Sequence, residues 1–245
     1  MALVKIPFLL ATALALHVSV TAPGHANPTH GEKKSMLEAT LRASQKTVTM
    51  IKCIYWTGTL AETASILAAW YAHRCAHGSR IAIRGTLPML HHALTTLTTD
   101  TVTPVNPLFI AGSVLAISGG LVRLACYRAL GRFFTFRLGT FPSHALITSG
   151  PYAVVRHPSY TGFILCFLGV LMVNLSPGSW LNTSGVLGNV WVRGVVGTWI
   201  LLVGGVSVSV VWRCKEEDAM LRERFGVLWV RWAQEVRYRL LPGIY

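Results

Sequence analysis

The chain has 245 residues, 52% of them hydrophobic and only 13% charged, with a mean hydropathy of +0.50. Soluble domains carry about 25% charged residues, so half that share argues for an integral membrane protein and against a soluble enzyme. The net charge of +13 does not signal nucleic acid, because the basic residues flank apolar segments, where orientation in a bilayer accounts for them.

Residues 3–22 form the first apolar segment, readable as a cleaved signal peptide or a retained helix. Pro23 follows Val20-Thr21-Ala22 awkwardly for a cleavage site, which favours retention. Residues 24–46 are polar and read as a loop or surface helix. The second span, 47–72, has Lys52 near its start, where it can snorkel, and Glu62 near its middle. An ionisable group at that depth is costly. It marks either a functional site or a carboxylate held by a neighbouring helix or water. His73 and His77 would share a helix face, but no third ligand stands at a diagnostic spacing. Together with Cys75, His91 and His92 they read as loop residues, and no metal site is expected. The five cysteines, scattered and without a CxxC pair, support neither a disulfide framework nor a zinc site.

The third span runs from Leu108 to about Tyr127, and its Gly112, Ser113, Ser118, Gly119 and Gly120 allow close helix approach. Arg123, Arg128, Arg132 and Arg137 then alternate with Phe133, Phe134 and Phe136. That pattern reads as a membrane-surface segment, or as groups able to stack on an adenine ring. The stretch from His144 to Tyr160 follows, broken by Gly150-Pro151 and by Arg156-His157-Pro158. Pro158 pushes His157 towards an extended backbone, so no helix runs through it. Irregular polar backbone at the mouth of a membrane helix is tolerated only inside protein or along a cavity, which makes this stretch a site candidate. The fourth span, Thr161–Leu175, has 15 residues, some five short of the ~20 needed to cross unaided. An uncharged loop, Ser176–Asn189, and a fifth span, Val190–Trp212, complete a helical hairpin with both ends on one side.

The fold class expected is therefore all-α: a polytopic membrane protein with about five transmembrane helices, a C-terminal helical hairpin and a cytoplasmic C-terminal helical tail. Lysine and arginine number fifteen on the side carrying the central stretch and the tail, against three on the other, which places that side in the cytoplasm. Five of the nine acidic residues fall in the tail: Glu216, Glu217, Asp218, Glu223 and Glu235. If the fifth helix continues, Arg213 and Glu217 share a face, either as an ordinary surface pair or as part of a site. The hairpin returns Arg213 to the depth of Arg156 and His157.

The pattern His144-Ala145-Leu146-Ile147, Gly150-Pro151-Tyr152, Arg156-His157-Pro158-Ser159-Tyr160, then Arg213-x3-Glu217 and Phe225-Gly226, resembles the isoprenylcysteine carboxyl methyltransferase family. The resemblance covers roughly Arg123 to Pro242. Arg-His-Pro alone also occurs in membrane methyltransferases acting on phospholipid amines and in some sterol reductases. The resemblance implies a multi-pass endoplasmic-reticulum enzyme with its catalytic face in the cytoplasm. It would use S-adenosyl-L-methionine to methylate the C-terminal carboxylate of a farnesylated or geranylgeranylated cysteine in CaaX-processed proteins.

It further implies that His144, Ala145, Leu146, Ile147, Tyr152, His157, Pro158, Ser159, Tyr160 and Glu217 bind the cofactor. Arg213 would hold the substrate carboxylate, and Arg213 and Glu217 would be the catalytic pair. Residues 107–245 would then be the catalytic region and 1–106 a set of N-terminal transmembrane helices and loops. The expected partners are the prenylated cysteine and the lipid bilayer, with no nucleic acid, and the oligomeric state is left open. The prenyl chain is expected to enter between the third, fourth and fifth spans, where Gly119, Gly120, Gly162 and Gly169 leave room. The residue types suit the chemistry. A carboxylate is already ionised at neutral pH, so its methylation needs positioning and no general base. A guanidinium fork matches a carboxylate better than an ammonium does. No GxGxxG turn is present for a soluble dinucleotide-type fold. The alternatives are a phospholipid-amine N-methyltransferase and a non-enzymatic transport or scaffold component.

Overall fold

Pro107 and Pro158 each stand in the first turn of a helix, where a missing N–H is no loss and a fixed φ is an advantage. They open the two helices around which the others gather. The computed structural model describes residues 2–21, 44–78, 105–134 and 145–244. Within these lie α1 (Lys5–Ser19), α2 (Ser44–Gly78), α3 (Pro107–Leu130), α4 (Pro158–Leu175), the single-turn α5 (Trp180–Thr183), α6 (Val190–Phe225) and α7 (Val227–Glu235). No strand occurs among the described residues, so the all-α expectation holds.

Among the described residues, three stretches are long and apolar enough to cross a membrane: Pro107–Phe133, Pro158–Thr183 and Val190–Phe225. The α1 helix is apolar but only 15 residues long, and α2 does not meet the same standard of length and composition. The fourth span is longer than the sequence suggested, because the helix begins at Pro158 and takes Ser159 and Tyr160 into its first turn. The fifth span does continue into the tail. It is one helix of 36 residues. The His73–Cys75–His77 group, read as a loop, falls within the α2 backbone, while His91 and His92 lie outside the described residues.

Helix α3 starts firmly because the Asn106 side chain accepts from the Phe109 amide at 2.8 Å. It meets α4 across glycines. A methyl group on Gly119 would collide with the backbone of Cys166 and Gly162, and one on Gly169 with the backbone of Ala116 and Gly112. Gly120 is closed in the same way by Ala15 of α1. These glycines let helices touch backbone to backbone. The expectation that Gly119, Gly120, Gly162 and Gly169 leave room for a prenyl chain is thus corrected, since a neighbouring helix already fills the space. Leu16, Ala116, Cys166, Phe167, Val170 and Val203 form the resulting core, so α1, α3, α4 and α6 share it.

At the end of the bundle where α4 turns towards α6, Lys5 is 1% exposed and its Nζ lies 2.5 Å from the Glu62 carboxylate. The same ammonium donates to the Gly178 carbonyl at 2.8 Å and sits 5.0 Å from the Phe109 ring centroid. Glu62 is therefore a carboxylate held by a neighbouring helix, the plainer of its two sequence readings. Removing one partner of a buried pair strands the other charge, at about 3–5 kcal/mol, whereas an apolar pair of similar volume restores the balance. Lys5→Met is accordingly expected to lower the midpoint of thermal unfolding in detergent, and Lys5→Met/Glu62→Leu to recover most of it. A double variant no more stable than the single one would refute this account.

Candidate functional site

The segment 145–157 is held by two different devices. Gly150 takes a φ of 63°, which only glycine adopts freely, and opens a short 3-10 turn through Ala153. Tyr152, at 8% exposure, drops from this turn into a cluster with Cys126, Trp229, Trp232 and Val236. Leu146, Ile147, Leu221 and Phe225 pack against the same cluster. The Trp232 indole N–H donates to the Tyr152 carbonyl at 3.2 Å, fixing the turn from the α7 side. Gly226, at φ 54°, is the joint that lets α7 fold back for this purpose.

The second device is an electrostatic clamp. Asp218, on α6, accepts from Arg156 Nη1 at 3.0 Å and Arg239 Nε at 2.9 Å through Oδ2, and its Oδ1 lies 3.0 Å from His157 Nε2. The backbone follows suit. The Arg156 amide donates to the Tyr238 carbonyl at 2.9 Å and the His157 amide to the Arg239 carbonyl at 2.8 Å. Arg156 Nη2 reaches the Arg237 carbonyl at 3.0 Å, and the Thr161 hydroxyl donates to the Leu240 carbonyl at 2.6 Å. The Arg-His-Pro corner is thereby strapped to α6 and to the chain after α7. Arg156 also lies 5.8 Å from the Trp229 ring centroid, which joins the clamp to the aromatic cluster.

The clamp fixes the histidine ring. With Nε2 turned to Asp218, the Nδ1 edge faces Glu217, whose Oε2 lies 3.6 Å away. The Tyr160 hydroxyl donates to the same Oε2 at 2.7 Å. The rings of His157 and Tyr160 lie nearly parallel, 15° apart, at 5.6 Å between centroids. Glu217 keeps a side-chain exposure of 29%, whereas Asp218 keeps 6%. The neighbouring acids have divided roles: one is consumed in scaffolding and the other stays half-open. One turn back along α6, Arg213 is buried at 6% exposure, on the face of the helix that carries Glu217.

Of the residues expected at the site, His157, Tyr160 and Glu217 meet directly, and Arg213 stands beside them on the same helix. Tyr152, Leu146 and Ile147 form an apolar wall shared with α7, while Ala145 is exposed. Pro158 and Ser159 are buried, and the Ser159 hydroxyl accepts from Arg123 at 2.7 Å. His144, Arg137 and Phe136 lie outside the described residues. Arg123 departs from the surface reading given to its basic-aromatic segment. It is 2% exposed, while Arg128 and Arg132 are exposed as expected. Asp218, Arg239, Trp229 and Trp232 were not foreseen. A usable signal existed for α7, since Trp229, Trp232 and Val236 recur at helical spacing. The adjacency of Glu217 and Asp218 gave no hint of their division.

The resemblance read from the sequence is borne out by comparison. Residues 112–192 match the model of the Isoprenylcysteine carboxyl methyltransferase (ICMT) family, about a third of the chain. Protein-S-isoprenylcysteine O-methyltransferase A of Arabidopsis thaliana is 26% identical over 127 residues, covering 51% of this chain and 55% of that protein. The probable protein-S-isoprenylcysteine O-methyltransferase of Oryza sativa subsp. japonica is 28% identical over 127 residues, covering 51% and 56%. The chain thus spans about half the length of the curated relatives it matches. No solved structure matches it. Arg213, Glu217 and Asp218 lie beyond residues 112–192.

Proposed function

We propose that this protein is a membrane-embedded methyltransferase that transfers a methyl group from S-adenosyl-L-methionine to the C-terminal carboxylate of a prenylated cysteine in CaaX-processed proteins. The observation that carries the reading is the half-open Glu217 carboxylate between Tyr160 and His157, with Arg213 one turn away on the same helix. His157 and Tyr160 lie within the stretch matching the prenylcysteine methyltransferase family, and Arg213 and Glu217 come after it in the chain.

The residues present suit the cofactor. Its sulfonium and ammonium call for a carboxylate and aromatic faces, which Glu217, Tyr160 and His157 offer. Its adenine calls for an apolar wall, offered by Leu146, Ile147 and Tyr152. When bound, S-adenosyl-L-methionine supplies a methyl group already activated for transfer. The chain's own part is positioning. Arg213 holds the acceptor carboxylate in its guanidinium fork and turns one oxygen towards the Glu217 side. The Tyr160 hydroxyl and the clamped His157 ring keep Glu217 in place. The α7 cluster keeps water from the apolar wall. No proton has to move, because the acceptor is ionised at neutral pH.

The apolar helices hold the prenyl group at the membrane, with the site at the cytoplasmic face of the endoplasmic reticulum. In this arrangement α1 and α2 join the three long apolar stretches as a fourth and fifth span, and residues 107–245 form the catalytic region. The test uses purified protein, S-adenosyl-L-methionine labelled on its methyl group, and N-acetyl-S-farnesyl-cysteine. Base-labile label on the acceptor is expected. Label transferred only to a phospholipid amine would replace this reading with that of a lipid N-methyltransferase. Transfer to neither acceptor would end it.

A further inference from the structure

Arg123 is the most deeply buried of the described arginines, and it reaches out of its own helix in two directions. Its Nε and Nη2 donate to the Ser19 carbonyl, the last residue of α1, at 3.1 and 2.6 Å. Its Nη1 donates to the Ser159 hydroxyl at 2.7 Å and to the Ser159 carbonyl at 3.2 Å. The guanidinium is walled by the rings of Tyr127, Phe134 and Phe163, at 5.1, 5.8 and 5.6 Å. The Tyr127 hydroxyl donates to the Ser19 and Val18 carbonyls, each at 3.1 Å.

We propose that Arg123 is a positioning residue, a latch that fixes the His157-Pro158-Ser159-Tyr160 corner to the C-terminal end of the first helix. Ser159 sits between the two side chains that face Glu217, so any slip of Ser159 moves both His157 and Tyr160. The carbonyls at a helix C-terminus carry partial negative charge, which suits a guanidinium and gives the latch a rigid anchor. A planar fork can address two carbonyls and a hydroxyl at fixed angles, which a lysine ammonium on a flexible stem cannot. The first helix is thus a working part of the site. The Ser159 hydroxyl, assigned to the cofactor by resemblance, has the latch as its partner.

The functional consequence rests on the methyltransferase reading, whereas the latch itself does not, and the experiment separates them. Arg123→Gln, Ser159→Ala and the exposed control Glu223→Gln are purified in detergent. Hydrogen exchange of residues 156–161 and affinity for S-adenosylhomocysteine are then measured. Arg123→Gln is expected to speed exchange in that segment at least 10-fold and to weaken binding by a similar factor. Ser159→Ala should move both in the same direction by less, and it cuts only one arm of the latch should Arg123→Gln fail to fold. Glu223→Gln should leave both unchanged. Unaltered exchange at 156–161 in Arg123→Gln and Ser159→Ala, or an equal response in Glu223→Gln, would overturn the latch. Wild-type protein that binds no S-adenosylhomocysteine would overturn the methyltransferase reading, while the exchange result would still decide the latch.

Discussion

Arg213→Ala is expected to lower kcat/KM for carboxyl methylation by roughly 100- to 1,000-fold, with helix content and membrane insertion unchanged. Truncating one member of a desolvated, hydrogen-bonded charge pair costs about 2–5 kcal/mol, and each 1.4 kcal/mol is about tenfold in rate. Arg213 is buried at 6% exposure, so in the proposed role it would meet the acceptor carboxylate where water screens little of that energy. The loss should fall on the prenylcysteine acceptor, with cofactor affinity nearly unchanged. Glu217→Gln should show the opposite pattern, weakening the cofactor more than the acceptor. Arg213→Lys keeps the charge but not the fork, and should retain only part of the rate. Comparable rates in Arg213→Ala and wild type would remove Arg213 from the mechanism and leave it as a structural arginine.

Asp218→Ala should be as damaging by another route. It leaves Arg156, His157 and Arg239 converging on a place with no anion, two of them largely out of water. Breaking such a buried arrangement costs about 3–5 kcal/mol, a large share of any domain's stability. The strap from the corner to residues 237–240 would loosen, and with it the orientation of His157. Asp218→Asn keeps the shape and one acceptor oxygen, so its loss should be intermediate. Glu216→Gln, two residues earlier and exposed, is the control and should be silent. Thermal unfolding together with S-adenosylhomocysteine binding would read the series. Equal stability of Asp218→Ala and Glu216→Gln would show that the clamp carries no weight.

Much of the fold was written in local patterns. Apolar runs placed α1, α3, α4 and α6, and Pro158 marked where a helix had to begin. The spacing of Arg213 and Glu217 told that they share a face once α6 proved continuous. What escaped the sequence depends on residues far apart in the chain. The Asp218 clamp joins α6 to Arg156 and His157, and the Arg123 latch joins α3 to Ser19 and Ser159. No periodicity encodes such pairings. The glycines were misread for a related reason. A small residue signals that something comes close, and packing alone decides whether that is another helix or a ligand. Glu62 followed the same logic, because its partner Lys5 lay on a different helix.

Helix α6 has a further consequence. It runs without a break from Val190 to Phe225, about 54 Å at 1.5 Å per residue, while the apolar layer of a bilayer is only about 30 Å thick. In a bilayer one end of this rod would be immersed in lipid, while the other carries Arg213, Glu217 and Asp218. Depth of immersion and working height are therefore a single variable. In a thicker bilayer the guanidinium would be drawn towards the lipid, and in a thinner one it would be lifted away from the plane of the proposed prenyl anchor. Under the proposed function, membrane thickness would thus be an input to substrate capture, transmitted by a lever that has no joint.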